Sequence, residues 1–187
     1  EPDKLAMLHI SKDKTERRFS FKDMKKALYI DSDIVVMDDI ANLYNVDLGD
    51  NLVGAVPDMT VALVPEFVDY VERVIGVSSY KKYFNAGVML MNLEAMREFK
   101  FEEKFIYMLS IVKYEVAQDQ DYLNRMCKGR VKILPYEWNR MPIEKENTDK
   151  EHVKLVHYNL AFKPWHFENI LFQEYFGGRI YRGPRVR

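Results

Sequence analysis

Ala27-Leu28-Tyr29-Ile30-Asp31-Ser32-Asp33-Ile34-Val35-Val36-Met37 runs apolar, then acidic, then apolar again, before Asp38-Asp39 ends it. Short apolar runs bounded by polar residues predict a strand buried on both faces, as in a parallel sheet. In extended backbone, residues i and i+2 point to the same side. Asp31 and Asp33 therefore present two carboxylates together, a hard-oxygen pair suited to Mg²⁺ or Mn²⁺. The carboxyl end of a buried strand is also where α/β sheets bind ligands. Two adjacent carboxylates repel, so a cation or a raised pKa is expected between them. The alternative is that the pair only caps a turn or the following helix.

Working outward, Ile40 to Tyr44 reads as a short helix with Asp38 or Asp39 as its N-cap. Asn51 to Asp58 reads as a second buried strand ended by Pro57 and Asp58. Phe67 to Val77 has helical spacing, with Phe67, Val71, Val74 and Ile75 on one face. Tyr83 to Leu93 is strand-like. Glu94 to Val116 is helical, with Phe101, Phe105, Met108, Leu109 and Val112 at helical spacing. Gln118 to Met126 opens another helix, and Val131 to Leu134 and Lys154 to Tyr158 are further strands. Pro135 to Lys150 is polar and is the expected mobile loop or insertion, and the chain from Glu168 is read as a helix followed by a basic tail. Strands alternating with helices place the chain in the α/β class, as one domain over 1–187.

Composition narrows the function. The 187 residues carry 28 Lys plus Arg against 29 Asp plus Glu, a net charge of −1. A nucleic-acid binder would show a basic excess, so no nucleic-acid partner is expected. The single cysteine, Cys127, permits no internal disulfide, which fits a reducing compartment. No apolar run reaches the roughly 18 to 20 residues of a membrane span. The highly charged stretch up to Lys26 reads as solvated helix or loop, and the chain opens at Glu1 rather than Met, so an N-terminal portion is expected to be missing.

Four other segments hold candidate chemistry. His157, in Leu155-Val156-His157-Tyr158, offers an imidazole that would complete a metal shell and favour Mn²⁺; as a core residue it would bond backbone instead. Gln118-Asp119-Gln120-Asp121 either caps a helix or lines up amides and carboxylates for a hydroxyl-rich ligand. Asn85-Ala86-Gly87 is either a bulge or a place where a ligand approaches the backbone closely. Lys163-Pro164-Trp165 supplies a cation able to neutralise phosphate, or a surface lysine beside a tryptophan that fills the core.

Together these segments resemble glycosyltransferase family 8, retaining sugar transferases that include bacterial lipopolysaccharide galactosyl- and glucosyltransferases and glycogenin. The matching pieces are Ala27 to Asp33, Tyr83-Phe84-Asn85-Ala86-Gly87-Val88-Met89-Leu90-Met91-Asn92-Leu93, Gln118 to Asn124, and His157-Tyr158 through Lys163-Pro164-Trp165. The four follow in the family's order, over about Ala27 to His166. The resemblance implies a GT-A fold, a Rossmann-like mixed sheet flanked by helices, and transfer of a hexose from a UDP-sugar to a saccharide or glycolipid hydroxyl. Asp31, Asp33 and His157 would hold Mn²⁺, or Mg²⁺. Lys163 would meet the phosphates and Asp33 would also face the ribose or sugar. Asn85, Ala86, Gly87 and Asp119 would bind the donor hexose, and Gln120 would lie near the anomeric carbon, opposite the leaving group.

Two departures stand out. The family's N-terminal nucleotide-binding portion, which should precede Asp31, is absent or unrecognisable, and a glycine between the histidine and Lys-Pro-Trp is replaced by Leu160 or a neighbour. Retention by double displacement would need a nucleophile, for which Gln120 is poor and Asp119 better. A front-face route needs none and is the expected one. The rival readings are a haloacid-dehalogenase-type Mg²⁺ phosphatase, with Asp31 as nucleophile and Asp33 as general acid/base, and a non-catalytic sugar- or nucleotide-binding fragment. The tail, with Arg179, Arg182, Arg185 and Arg187 beside Phe176 and Tyr181, is either a solvated end or a peripheral contact with an anionic membrane at the cytoplasmic face.

Overall fold

The computed structural model describes residues 24–143, 152–161 and 163–176. The charged opening, the second half of the expected loop and the arginine-bearing tail lie outside them. A four-stranded mixed sheet forms the centre, in the order β1-β4-β3-β5 (β1 Lys26–Ile30, β3 Val53–Pro57, β4 Phe84–Asn92, β5 Val131–Ile133). β4 pairs antiparallel with both β1 and β3, and only β3 and β5 run parallel. A second sheet joins β2 (Ile34–Val36) to β6 (Leu155–His157), antiparallel. The apolar run read as one strand is therefore two strands in two sheets, and Asp31-Ser32-Asp33 is the corner between them. Nor is it buried on both faces: β1 lies at a sheet edge with only Ala27 and Leu28 buried.

The central position falls to β4, buried from Phe84 to Leu90. Val88 and Leu90 pack on one side with Leu43, Leu134, Trp138 and Leu155. Phe84, Ala86 and Met89 pack on the other with Ala95 and Cys127. The side-chain alternation thus slips between Ala86 and Val88, where the pairing with β3 also shifts register. This is a β-bulge, a local break that re-aims side chains. Each fully buried large apolar side chain contributes about 1.5–3 kcal/mol, so Leu43, Leu90 and Leu155 fix how the two sheets meet.

The helices are short. Asp39 caps α1 (Ile40–Tyr44), its carboxylate accepting from the Ala41 amide at 2.9 Å. α2 (Pro65–Tyr70) passes into a π-turn over Val71–Ile75 that Gly76 ends at φ 81°. Val71 and Ile75 are buried there, but Val74 is exposed, because the wider turn rotates it off the expected face. The expected long helix from Glu94 breaks at Lys100, which takes φ 57°, into α3 (Leu93–Glu98) and α4 (Phe101–Ile111). Leu109 of α4 is exposed rather than packed.

α5 spans Asp119–Met126. The expected loop from Pro135 turns inward instead: Trp138, Asn139 and Met141 are buried, and Arg140 bridges to Val156 beside β6. Beyond Glu168 the described residues hold only a 3-10 turn at Gln173–Tyr175, not the expected helix. Trp165 does not fill the core; it is 43% exposed, its ring tilted at 46° to that of Phe176. Among the described residues no helix is long and apolar enough to cross a membrane.

Candidate active site

A cavity of about 580 Å³ opens where the ends of β1, β4 and β6 meet the start of α5. Asp31, Asp33 and His157 line one end; Asp119 and Gln120 line another part; Asp58, Asn85, Ala86 and Gly87 also contribute. The structure thus gathers all but one of the residues to which the family resemblance gave a role. The exception, Lys163, reaches the same place indirectly, through an ion pair with Asp33.

At the first end the three ligand-type side chains have atoms within 4.8 Å of one another. His157 Nε2 is 3.3 Å from Asp33 Oδ1 and 3.6 Å from Asp31 Oδ2. A bare imidazole lone pair facing two carboxylates is repelled, so a proton or a cation must lie between them. Two oxygens and one imidazole nitrogen suit Mn²⁺ or Mg²⁺, which fill their remaining positions with water or phosphate. The residues fit a divalent ion.

Gly87 is required here. A Cβ on it would sit 2.2 Å from His157 Cε1 and 2.8 Å from Asp31 Oδ2. The bulge reading of Asn85-Ala86-Gly87 therefore holds, and what the glycine admits close to the backbone is the protein's own His157 and Asp31.

Neighbours set the electrostatics. The Tyr29 hydroxyl donates to Asp31 Oδ1 at 2.6 Å, and burial together with that carboxylate raises the phenol's pKa. Burial pushes Asp33 upward, but hydrogen bonds from His157 and Lys163 outweigh it and hold the carboxyl at about 2. Lys163 donates to both Asp33 and the Tyr158 carbonyl. It is the built-in counter-charge of the acid pair.

The second end works differently. Gln120 accepts from the Ala86 amide at 2.9 Å and donates to Asp58 at 2.8 Å, so both ends of its carboxamide are engaged. Asp119 is exposed, with one oxygen on the Gln120 amide at 3.0 Å. Asp121 turns away into the core, where it accepts from Tyr70 at 2.8 Å, Tyr83 at 2.7 Å and the Ala117 amide at 2.9 Å. Burial and the Asp121 carboxylate raise the pKa of both phenols, which remain donors. The expected cap is thus made one turn deeper: Gln118 forms no side-chain cap bond, and Asp121 reaches back to Ala117.

Several participants escaped the sequence reading. Asp58 accepts from Thr60, Asn85 and Gln120. Asn139, fully buried, lies 3.0 Å from His157 Nδ1 and donates to Asn85 at 3.0 Å. Asn159 lines the cavity, with an amide oxygen that has no hydrogen-bond partner among the described residues. Asp58 was legible only as the residue that ends a strand. Nothing local marked Asn139. Leu160 takes φ 51° at the cavity edge, the left-handed conformation a glycine adopts without strain.

Comparison with known proteins supplies the family. The model of Glycosyl transferase family 8 matches residues 18–169, and the chain belongs to that family. The phosphatase alternative is set aside by that membership. A putative glycosyltransferase of Haemophilus influenzae is 31% identical over 156 residues, which is 78% of this chain and 45% of the relative. Lipopolysaccharide 1,2-glucosyltransferase of Escherichia coli is 32% identical over 158 residues, 76% of this chain and 45% of the relative. The chain thus spans under half the length of these curated relatives.

Among solved structures, the apo WbbM bifunctional glycosyltransferase superposes with a TM-score of 0.73 at 28% identity, over 86% of this chain and 33% of that one. The galactosyltransferase LgtC, solved with donor and acceptor sugar analogues, gives 0.61 at 31% identity over 87% of this chain and 64% of that one. The mixed sheet flanked by helices is that of GT-A glycosyltransferases.

Proposed function

We propose that this chain is a single glycosyltransferase domain that moves a hexose, galactose or glucose, from a UDP-sugar to a hydroxyl of a saccharide or glycolipid acceptor, with retention at the anomeric carbon. The observation that carries the reading is the convergence of Asp31, Asp33 and His157 at one end of a cavity that Asp119 and Gln120 also line.

Asp31, Asp33 and His157 would hold Mn²⁺, or Mg²⁺. When bound, such an ion offsets the negative charge that gathers on the departing diphosphate. Lys163 adds positive charge from the protein at the same end, already oriented by Asp33 and the Tyr158 carbonyl. The Asn85 amide meets its neighbours Asp58, Gly87 and Asn139, so it acts on the donor hexose chiefly by shaping the cavity floor. Asp119 is the exposed carboxylate of the floor and is the group that bonds sugar hydroxyls.

Retention follows the front-face route in this reading. Gln120 Oε1 already accepts from the Ala86 amide, which lowers its electron density as a nucleophile, and Asp119, the better nucleophile, is taken up by the sugar hydroxyls in this reading. The acceptor hydroxyl would pass its proton to the departing phosphate.

The test is direct. The chain is incubated with UDP-galactose or UDP-glucose, Mn²⁺ and lactose or a lipopolysaccharide-derived acceptor, and the new glycosidic bond is read by NMR. An α-linked product that needs Mn²⁺ and disappears in Asp31→Ala supports the reading. Equal UDP-sugar binding with and without Mn²⁺, unchanged in Asp31→Ala, overturns it and leaves a non-catalytic sugar-binding fragment.

A further inference from the structure

His157, Asn139, Asn85, Asp58 and Gln120 form one unbroken hydrogen-bonded chain under the cavity. Its direction is fixed by chemistry. Asp58 accepts from four groups: the Thr60 amide and hydroxyl, Asn85 Nδ2 and Gln120 Nε2. A carboxylate only accepts, so the Asn85 nitrogen must face it. That leaves Asn85 Oδ1 to accept from the Gly87 amide at 3.0 Å and from Asn139 Nδ2 at 3.0 Å. Asn139 is therefore turned with its oxygen toward His157 Nδ1, which must carry a proton. The other ring nitrogen, Nε2, is then the one presented to Asp31 and Asp33.

We propose that Asn139 is a positioning residue that fixes His157 with Nε2 aimed at the acid pair. Through Asn85 and Asp58 it also ties that ring to the Gln120 carboxamide, so the metal end and the sugar end of the cavity are set as one unit. This rests on the sugar-transfer reading for the identity of the ligands, but not for the geometry. The physical logic is that a ligating imidazole is oriented by whatever accepts its second N–H. Here the acceptor is a neutral amide whose own orientation is dictated by a carboxylate on the far side of the floor.

The test uses the whole chain and three readouts. Mn²⁺ binding is measured without nucleotide, from the electron paramagnetic resonance of the free ion. Asn139→Ala should weaken it by about 10- to 100-fold. Asn139→Asp keeps an acceptor for Nδ1 and adds negative charge, so it should bind Mn²⁺ at least as tightly as the wild type. The same variant cannot donate to Asn85 as a carboxylate, so its ratio of UDP-hexose to UDP affinity should fall. In the wild type, NMR of histidine-labelled protein should show a slowly exchanging His157 Nδ1 proton.

A loss of Mn²⁺ binding common to both variants would mean a merely structural role and overturn the inference. So would wild-type affinity in a folded Asn139→Ala, or a wild-type spectrum without the protected proton. If Asn139→Ala fails to fold, Asn139→Asp and the wild-type spectrum decide. A wild type that binds no Mn²⁺ overturns the metal reading itself and this inference with it, whereas unchanged binding in Asn139→Ala overturns this inference alone.

Discussion

The chain contains Asp-x-Asp twice, and the two copies meet opposite fates. Asp31 and Asp33 stand at a corner between strands, side chains 36% and 19% exposed, and converge on one imidazole. Asp119 and Asp121 stand on the first turn of α5 and diverge, one exposed at the cavity and the other fully buried. The backbone accounts for the difference. Asp31 and Asp33 sit in the turn between two strands, which gathers both side chains toward His157, whereas on a helix i and i+2 lie about 200° apart. The same spacing therefore brings two carboxylates together in one place, and in the other sends one to the cavity and one to the core.

The anchor matters because it holds its neighbour. Asp121 clamps Tyr70, Tyr83 and the Ala117 amide, and so fixes the entry to α5 on which Asp119 and Gln120 are carried. A buried acceptor with three donors is costly to remove, since each donor is left facing nothing. The half-buried acid pair has fewer donors to lose, and its like charges repel.

The sharpest way to break the comparison is to delete one acid from each copy. Asp121→Ala should cost about 3–5 kcal/mol of stability, measured by urea unfolding. Asp31→Ala should change stability by less than about 0.5 kcal/mol, yet weaken Mn²⁺ binding on the order of 100-fold. Equal stability losses in the two variants would erase the distinction. Gly87→Ala should fall between them, with about 1–3 kcal/mol of overpacking as the new methyl meets His157, together with impaired Mn²⁺ binding. Calorimetry with and without the ion separates the two effects.

The smallest effect concerns pH. The Asp33 carboxyl is held at about 2, below its ordinary 3.8, so its stabilising contribution is complete above the ordinary value and is lost as pH falls toward 2. In metal-free protein, Asp33→Asn should flatten the rise of stability with pH between about 2 and about 4, read by thermal unfolding. An unchanged slope would show that His157 and Lys163 do not hold that carboxylate in solution.

Much of the site was legible because its signals are local. The acid pair, the imidazole on a strand, Asn85-Ala86-Gly87 and the acidic start of α5 each show in a few consecutive residues. The fold class was legible too, although the parallel arrangement was not: an apolar run says that a strand is buried, not which neighbour it pairs with. The break at Lys100 and the inward turn after Pro135 were missed for a related reason. Polar composition predicts a surface loop, but Trp138, Asn139 and Met141 are drawn in by the strand they pack beside, and Asn139 is compensated by hydrogen bonds made only in the folded chain.

The sequence by itself determined which residues could bear the chemistry: two acids with strand spacing, a histidine among apolar neighbours, and the four segments in family order. Tertiary structure alone decided which of them act together. His157 lies 18 residues from Asn139, and Gln120 lies 62 residues from Asp58. A hydrogen bond between side chains so far apart in the chain has no local signature, because it depends on how two sheets and a helix pack, and that packing is set by the whole core at once.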